Sequence, residues 1–269
     1  MSPRDLKCAV LALLCAQQIT RTVQGQECPE SVSGDDVWLG DETHEEPRPV
    51  GERSYRLRRG RRASLLDGSA WLPEELCRSA HWIGQSAIQG EPPNCHQCMY
   101  DDAEGAAMLD AFLTQHGPAL DSIFGDDRSG WARGCMLRRA YTIRLSRAFA
   151  PDGLHSDVPA GRCGEALADR PGTPLFLTVI AYPVAEWTAD WGGHTEFVPR
   201  LCDEVATLPR PTSISLRVAP LPNRTLVFDG SVLHRATHPT ARFAAERNAA
   251  ASGDAWRRAS IMQLTCARG

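Results

Sequence analysis

The chain has no excess of positive charge: 29 Lys and Arg against 33 Asp and Glu leave a formal net charge of −4. No basic field draws it to a polyanion, so the totals give no support to nucleic-acid binding. Nor does it have a hydrophobic run of bilayer-spanning length. The apolar stretch CAVLALLCA at 8–16 is nine residues long, too short to cross a membrane, and no second run comes closer, so no membrane span is expected. Recognisable peptide-binding repeats and separate substrate domains are also missing.

Cysteine, by contrast, is plentiful, at ten residues. Arg4 and Lys7 precede the apolar run, and a polar stretch with Val23 and Gly25 at small-residue spacing follows it. Residues 1–25 therefore read as a signal peptide cleaved after Gly25, which places the chain in the secretory pathway, in the endoplasmic reticulum lumen or secreted. Cleavage removes Cys8 and Cys15 and leaves cysteines 28, 77, 95, 98, 135, 163, 202 and 266. An even number suits disulfides, though the pairing is not legible. NCHQCM at 94–99 holds a C-x-x-C with His96 inside it. A lone pair of this kind reads as a structural disulfide or loop staple before it reads as zinc.

Residues 26–70 read as a mobile segment. Its first part, 27–47, is acidic and shows no apolar period; RSYRLRRGRR at 53–62 then packs six arginines into ten residues. That run has three readings: a phosphate patch, a processing-protease site, or a basic loop paired loosely with the acidic part. Residues 71–130 read as a helical buttress. Leu72, Leu76, Ala80, Ile83 and Ala87 share one helical face, and a second helix at about 102–115 stops at HGP, 116–118. From 131 to 269 strands dominate. In LRRAYTIRLSRAF (137–149), Leu137, Tyr141, Ile143 and Leu145 define the expected buried face. Further strands are expected at 154–158, 175–183, 194–198, 212–218, 224–229 and 258–266. The fold class is α+β, its C-terminal half a two-sheet sandwich or jelly roll.

Within that half, LHSDVP (154–159) sets His155 and Asp157 two positions apart, on one face of an extended strand. The pair reads either as two metal ligands or as two solvated polar residues. Downstream, NRTLVFDGSVLHRATHP (223–239) ends a strand in the turn DGS and then presents His234. Two imidazoles and one carboxylate on one face of a metal leave three positions open, the arrangement suited to non-haem Fe(II) oxygen chemistry. His155, Asp157 and His234 can supply it.

From about 137 to 266 these residues resemble the catalytic domain of 2-oxoglutarate- and Fe(II)-dependent dioxygenases of the prolyl 4-hydroxylase-like group. LTVIAYPVAEWTADWGGHTEFVP (177–199) is similar to that group's second core block, and VAPLPNRTLVFDGSVLH (218–234) to the block leading to its distal histidine. The resemblance implies a double-stranded β-helix core over 131–269 that holds Fe(II) through His155, Asp157 and His234. It also implies 2-oxoglutarate and O2 as cosubstrates, with ascorbate in support. The expected reaction hydroxylates an unactivated C–H bond, a peptidyl prolyl residue at the level of the family, with release of succinate and CO2. The substrate is a peptide or a small molecule. Asp157 favours hydroxylation, since related halogenating enzymes lack this carboxylate.

Tyr182 shares a strand face with Thr178 and Ile180, and the resemblance places its hydroxyl on 2-oxoglutarate. The far carboxylate of that molecule suits a planar arginine fork. Arg258 is favoured, with Ser260 on its strand face and Arg257 turned outward; Arg242 is the alternative if no loop is inserted at about 240–256. Gly192-Gly193 would allow a bulge or tight turn near the mouth. His194 and His238 read as rim residues, and Tyr141 as a pocket or core aromatic. Two competing hypotheses are a secreted jelly-roll binding module without turnover and a cupin-like enzyme that uses another metal.

Overall fold

A computed structural model describes residues 37–39, 48–51, 54–57, 59, 61–66, 72, 83–85, 95–125, 128–145, 153–184, 186–207, 214, 216–243 and 257–268. The expected signal peptide, most of the expected 72–87 helix and the expected inserted loop, from 244 onward, lie outside the described residues.

Two antiparallel sheets face each other. The larger contains, in spatial order, β2 (Arg48–Gly51), β3 (Ser54–Arg56), β4 (Arg62–Leu66), β11 (Thr225–Asp229), β8 (Pro174–Ala181), β13 (Arg257–Ala267), β7 (Met136–Leu145), β6 (Cys95–Met99) and β5 (Ile83–Gln85). The smaller runs β1 (Val37–Leu39), β10 (Leu216–Val218), β9 (Thr195–Leu201) and β12 (Val232–Ala236). An isolated antiparallel bridge from His155 to His234 extends the smaller sheet. From β7 onward the chain passes back and forth between the sheets, with β9 and β10 paired in succession in the smaller one, which makes the core a double-stranded β-helix, or jelly roll.

Between the sheets lie Ile180, Tyr182, Phe197, Leu201, Leu216, Val218, Leu226, Phe228, Val232 and Ala259. The outer face of the larger sheet buries Leu175, Leu177, Val179, Met262, Leu264 and Cys266 under Met108, Phe112, Leu120 and Phe124. Those four belong to α1 (Asp102–Phe124). The helix begins in a capping box, Asp101 accepting from the Ala103 and Glu104 N–H groups while Glu104 reaches back to the Asp101 N–H. It does not stop at HGP, because His116, Gly117, Leu120 and Phe124 are buried beyond that point. Tertiary packing outweighs the bond lost at Pro118.

The expected N-terminal arrangement needs correction in three places. Ile83–Gln85, the end of the expected first helix, is an edge strand paired with β6. Residues 37–66, expected to be mobile, supply four strands, and the arginine-rich stretch is the β3–β4 hairpin, closed by Leu57 N–H donating to Arg61 O. Backbone pairing to β10 and β11 is available to sequences with no apolar period, so composition did not reveal it. Third, Cys98, expected in a structural disulfide or loop staple, is a buried thiol in β6. Two disulfides do form among the described residues, Cys135–Cys266 and Cys163–Cys202, as suits an oxidising compartment. No helix among the described residues is long and apolar enough to cross a membrane.

The expected buried face of β7 is split between the two sides of the strand. Ala140 and Thr142 are buried, while Tyr141 and Ile143 are half-buried on the side facing the smaller sheet. The register along β13 runs from Gln263↔Arg139 directly to Leu264↔Leu137, so Arg138 is an extra, bulged residue. The bulge changes the strand's parity, letting Leu137 pack against α1 while Tyr141 faces the opposite way.

Candidate functional site

The turn before β12 is built by its own side chains: Asp229 Oδ1 accepts from the Ser231 N–H at 2.9 Å and the Ser231 hydroxyl at 2.6 Å. Asp229 is buried, and Arg61 from the β3–β4 hairpin donates to it at 3.2 Å. One arginine of the basic run therefore anchors the turn that delivers His234. Gly230 follows at a spot where a Cβ would lie 3.2 Å from Asp157 Cβ and 3.3 Å from Thr178 Oγ1, so a larger residue there would press on Asp157 and Thr178.

His155 and His234 exchange both backbone hydrogen bonds across their bridge, at 3.1 and 2.9 Å, and the Asp157 N–H donates to Gly230 O at 2.9 Å. These contacts bring the three predicted ligands together: one donor atom from each of His155, Asp157 and His234 lies within 4.8 Å of the others. His234 Nε2 and Asp157 Oδ2 are 3.3 Å apart. Each imidazole is fixed through its other nitrogen, His155 Nδ1 on Gly153 O and His234 Nδ1 on Val232 O, both at 3.0 Å. With Nδ1–H donating to carbonyls, both Nε2 lone pairs point into the cluster, the tautomer a metal requires.

Asp157 is held at both oxygens. The Thr178 hydroxyl donates to Oδ2 at 2.6 Å and Gln263 Nε2 donates to Oδ1 at 2.7 Å. Burial pushes its pKa up, but the neighbouring His234, its hydrogen bond, His155 and the Thr178 hydroxyl outweigh that and hold it below the ordinary carboxylate range. The residues suit a divalent cation: two imidazoles oriented by backbone carbonyl acceptors and one carboxylate oriented by side-chain donors. Thr178, expected at the cosubstrate, has its hydroxyl on Asp157. Gln263 was not anticipated; the signal was its spacing from Ala259, two strand periods along β13.

The second half of the site lies around Tyr182, which is buried and shares its hydroxyl with Thr195 Oγ1 at 2.8 Å. Arg257, not Arg258, faces it. The Arg257 guanidinium stands over the Tyr182 ring, 5.4 Å from its centroid, and donates to Gly193 O and, at 3.2 Å, to Thr195 Oγ1. It is 2% exposed and pairs with no carboxylate among the described residues. Arg258 is half-buried and Ser260 lies beside Thr142 Oγ1 at 3.4 Å, on the opposite strand face. The phase was misread because β13 is covered on both sides: Met262, Leu264 and Cys266, its more apolar set, face α1 rather than the cavity. Arg242 is on the surface, paired with Asp190 at 2.7 Å.

Gly192 and Gly193 both have positive φ, 71° and 68°, and a Cβ on Gly193 would come within 3.0 Å of Arg257 Cδ. The expected tight turn thus also makes room for the arginine. His194, expected at the rim, is buried with Nε2 unpartnered, and burial with Arg217 and Arg257 nearby pushes its pKa down to about 3.

No protein-family model matches the chain, and no curated protein matches it. Similar solved structures are 2-oxoglutarate/Fe(II) oxygenases. One is an oxidoreductase of the 2OG-Fe(II) oxygenase family from Burkholderia pseudomallei, at 11% identity over 77% of this chain and 86% of that one, TM-score 0.45. A second is the viral collagen prolyl hydroxylase of Paramecium bursaria Chlorella virus-1, at 14% identity over 84% and 100%, TM-score 0.43. A third is EvdO2 from Micromonospora carbonacea var. aurantiaca complexed with 2-oxoglutarate, at 15% identity over 77% and 87%, TM-score 0.42. At these identities and TM-scores the function rests on the site itself.

Proposed function

We propose that the protein is a 2-oxoglutarate- and Fe(II)-dependent dioxygenase of the secretory pathway that hydroxylates an unactivated C–H bond and releases succinate and CO2. The observation that carries this reading is the convergence of His155, Asp157 and His234 from two separate segments on one point. A buried, carboxylate-free guanidinium at Arg257 supports the cosubstrate.

His155, Asp157 and His234 would hold Fe(II), which when bound with 2-oxoglutarate and O2 supplies the oxidising power for the reaction. The chain's own residues do the positioning. Gly153 O and Val232 O keep both imidazoles presenting Nε2, and Thr178 and Gln263 hold the Asp157 carboxylate at a fixed angle. A buried cation without a counter-ion is costly, so Arg257 calls for an anion, and a planar guanidinium matches a carboxylate in two-point fashion. Tyr182 and Thr195 offer hydroxyls beside it. We assign the far carboxylate of 2-oxoglutarate to Arg257, Tyr182 and Thr195. The jelly-roll interior of Phe197, Phe228 and Val232 keeps water from the centre.

The test is iron-dependent formation of succinate from 2-oxoglutarate by the purified protein. Succinate should appear only with Fe(II) and vanish in His234→Ala; a folded wild-type protein that binds iron without consuming 2-oxoglutarate would point to a binding module instead.

A further inference from the structure

The bulge in β7 has a chemical result beside the metal centre. It turns two consecutive arginines toward the side that carries the ligands. Arg138 reaches the Asp157 carbonyl through Nη2 at 2.9 Å and stands over the Phe176 ring, 5.1 Å from its centroid. Arg139 lies directly opposite Gln263, the residue that holds Asp157 Oδ1. Facing side chains on adjacent strands have Cβ atoms about 5 Å apart, so Arg139 leaves the sheet next to the ligand's own support. Arg162, five residues beyond Asp157, also stands over Phe176 at 5.1 Å.

These guanidiniums are poorly compensated. Arg162 has Glu165 at 2.7 Å. Among the described residues neither Arg138 nor Arg139 forms an ion pair with a carboxylate, and the Arg139 guanidinium stands over the Tyr141 ring, 5.7 Å from its centroid. Arg138 Nε is buried with no hydrogen-bond partner. Like charges gathered in a half-buried place repel one another and are desolvated together, a cost that a bound anion removes. Asp157 attracts Arg138 without outweighing its burial, and that carboxylate is already held by Thr178 and Gln263 beside the two histidines.

We propose that the substrate is anionic, and that Arg138 and Arg139, with Arg162 beside them, receive a carboxylate or phosphate carried close to the C–H bond presented to the metal centre. The proposal rests on the dioxygenase reading and narrows it to a substrate class. A bidentate guanidinium contact suits either anion, and the two arginines differ in role. Arg138 is anchored to the Asp157 backbone and fixes where the anion lies relative to the metal, whereas Arg139, standing over the Tyr141 ring, is the arm that closes on it.

The test uses the full-length protein loaded with Mn(II) and saturating 2-oxoglutarate without oxygen, with 2-oxoglutarate binding measured first and separately. Hexapeptides with one prolyl residue flanked by glutamate, glutamine or lysine are then titrated, with inorganic phosphate as competitor against chloride at equal ionic strength. The glutamate peptide should bind roughly tenfold more tightly than the glutamine peptide, with an advantage that shrinks as salt rises. Arg139→Gln should abolish the advantage and Arg139→Lys retain part of it. Phosphate that itself binds in direct titration, and does so through Arg139, while no peptide binds supports a small anionic substrate in place of an acidic peptide. Equal binding of all three peptides with no Arg139-dependent phosphate effect overturns the inference. Failure of wild-type protein to bind 2-oxoglutarate instead overturns the dioxygenase reading.

Discussion

Among single residues, Asp157 is the most fully engaged of the three that converge. Asp157 has two oxygens, and Thr178 and Gln263 take one lone pair on each, leaving the directions toward His155 and His234 for a metal. Gln263→Leu leaves Oδ1 without its donor, and loss of such a support typically costs about 10- to 100-fold in metal affinity. Fe(II) or Mn(II) titration should show that loss with the secondary structure unchanged. His194 gives a pH dependence of opposite origin. Its folded pKa of about 3 lies below the ordinary histidine value, because burial, Arg217 and Arg257 disfavour the cation. The unfolded chain therefore binds a proton that the folded chain refuses, so stability falls as pH drops from about 6.5 toward 3. Between pH 7 and pH 5 this group alone should cost roughly 2 kcal/mol. In urea unfolding, His194→Asn should lose less stability over that interval than the wild type; equal losses would show that His194 is protonated in the fold.

The elements explain why some of the site was legible and some was not. His155, Asp157 and His234 could be read because ligand chemistry restricts residue type, and the pattern of one close pair plus one distant residue survives any error in strand phase. The arginine that faces Tyr182 could not, because choosing Arg257 over Arg258 required knowing which side of β13 the helix covers. Both of its alternating sets are rich in apolar residues, so the period of two gives no direction. The β7 bulge was equally hidden, since an extra residue leaves no mark in composition. Arg61 illustrates a third kind of miss: six arginines in ten residues look like one surface, yet Arg59 pairs on the outside with Asp203 while Arg61 is buried against Asp229. Removing one partner of a buried ion pair costs about 3–5 kcal/mol. Arg61→Ala should lower the unfolding free energy by that order and, by freeing the turn at Asp229, weaken metal binding through His234. A variant as stable as the wild type would show that the hairpin does not brace the turn.

For the whole molecule, the jelly roll is braced at its margins and holds its chemistry in the middle. α1 seals the outer face of the larger sheet, and the Cys135–Cys266 bridge joins the start of β7 to the end of β13 across 131 residues of sequence. Closing so long a loop restricts the unfolded chain, and losing such a bridge typically costs 2–5 kcal/mol. Cys135→Ser/Cys266→Ser should therefore melt well below the wild type while retaining the affinity of the folded protein for metal, since neither sulfur touches the ligands. On the proposed reading, one metal ion at His155, Asp157 and His234 and one buried guanidinium at Arg257 together hold 2-oxoglutarate. Anaerobic titration of 2-oxoglutarate into the Fe(II)-loaded protein, followed by the visible charge-transfer absorption of the chelate, tests this most directly. One equivalent should bind in the wild type and in Arg258→Gln, and binding should weaken severely in Arg257→Gln and disappear in His234→Ala. A wild-type protein that shows no such absorption, or an Arg257→Gln variant that binds 2-oxoglutarate as tightly as the wild type, would contradict it.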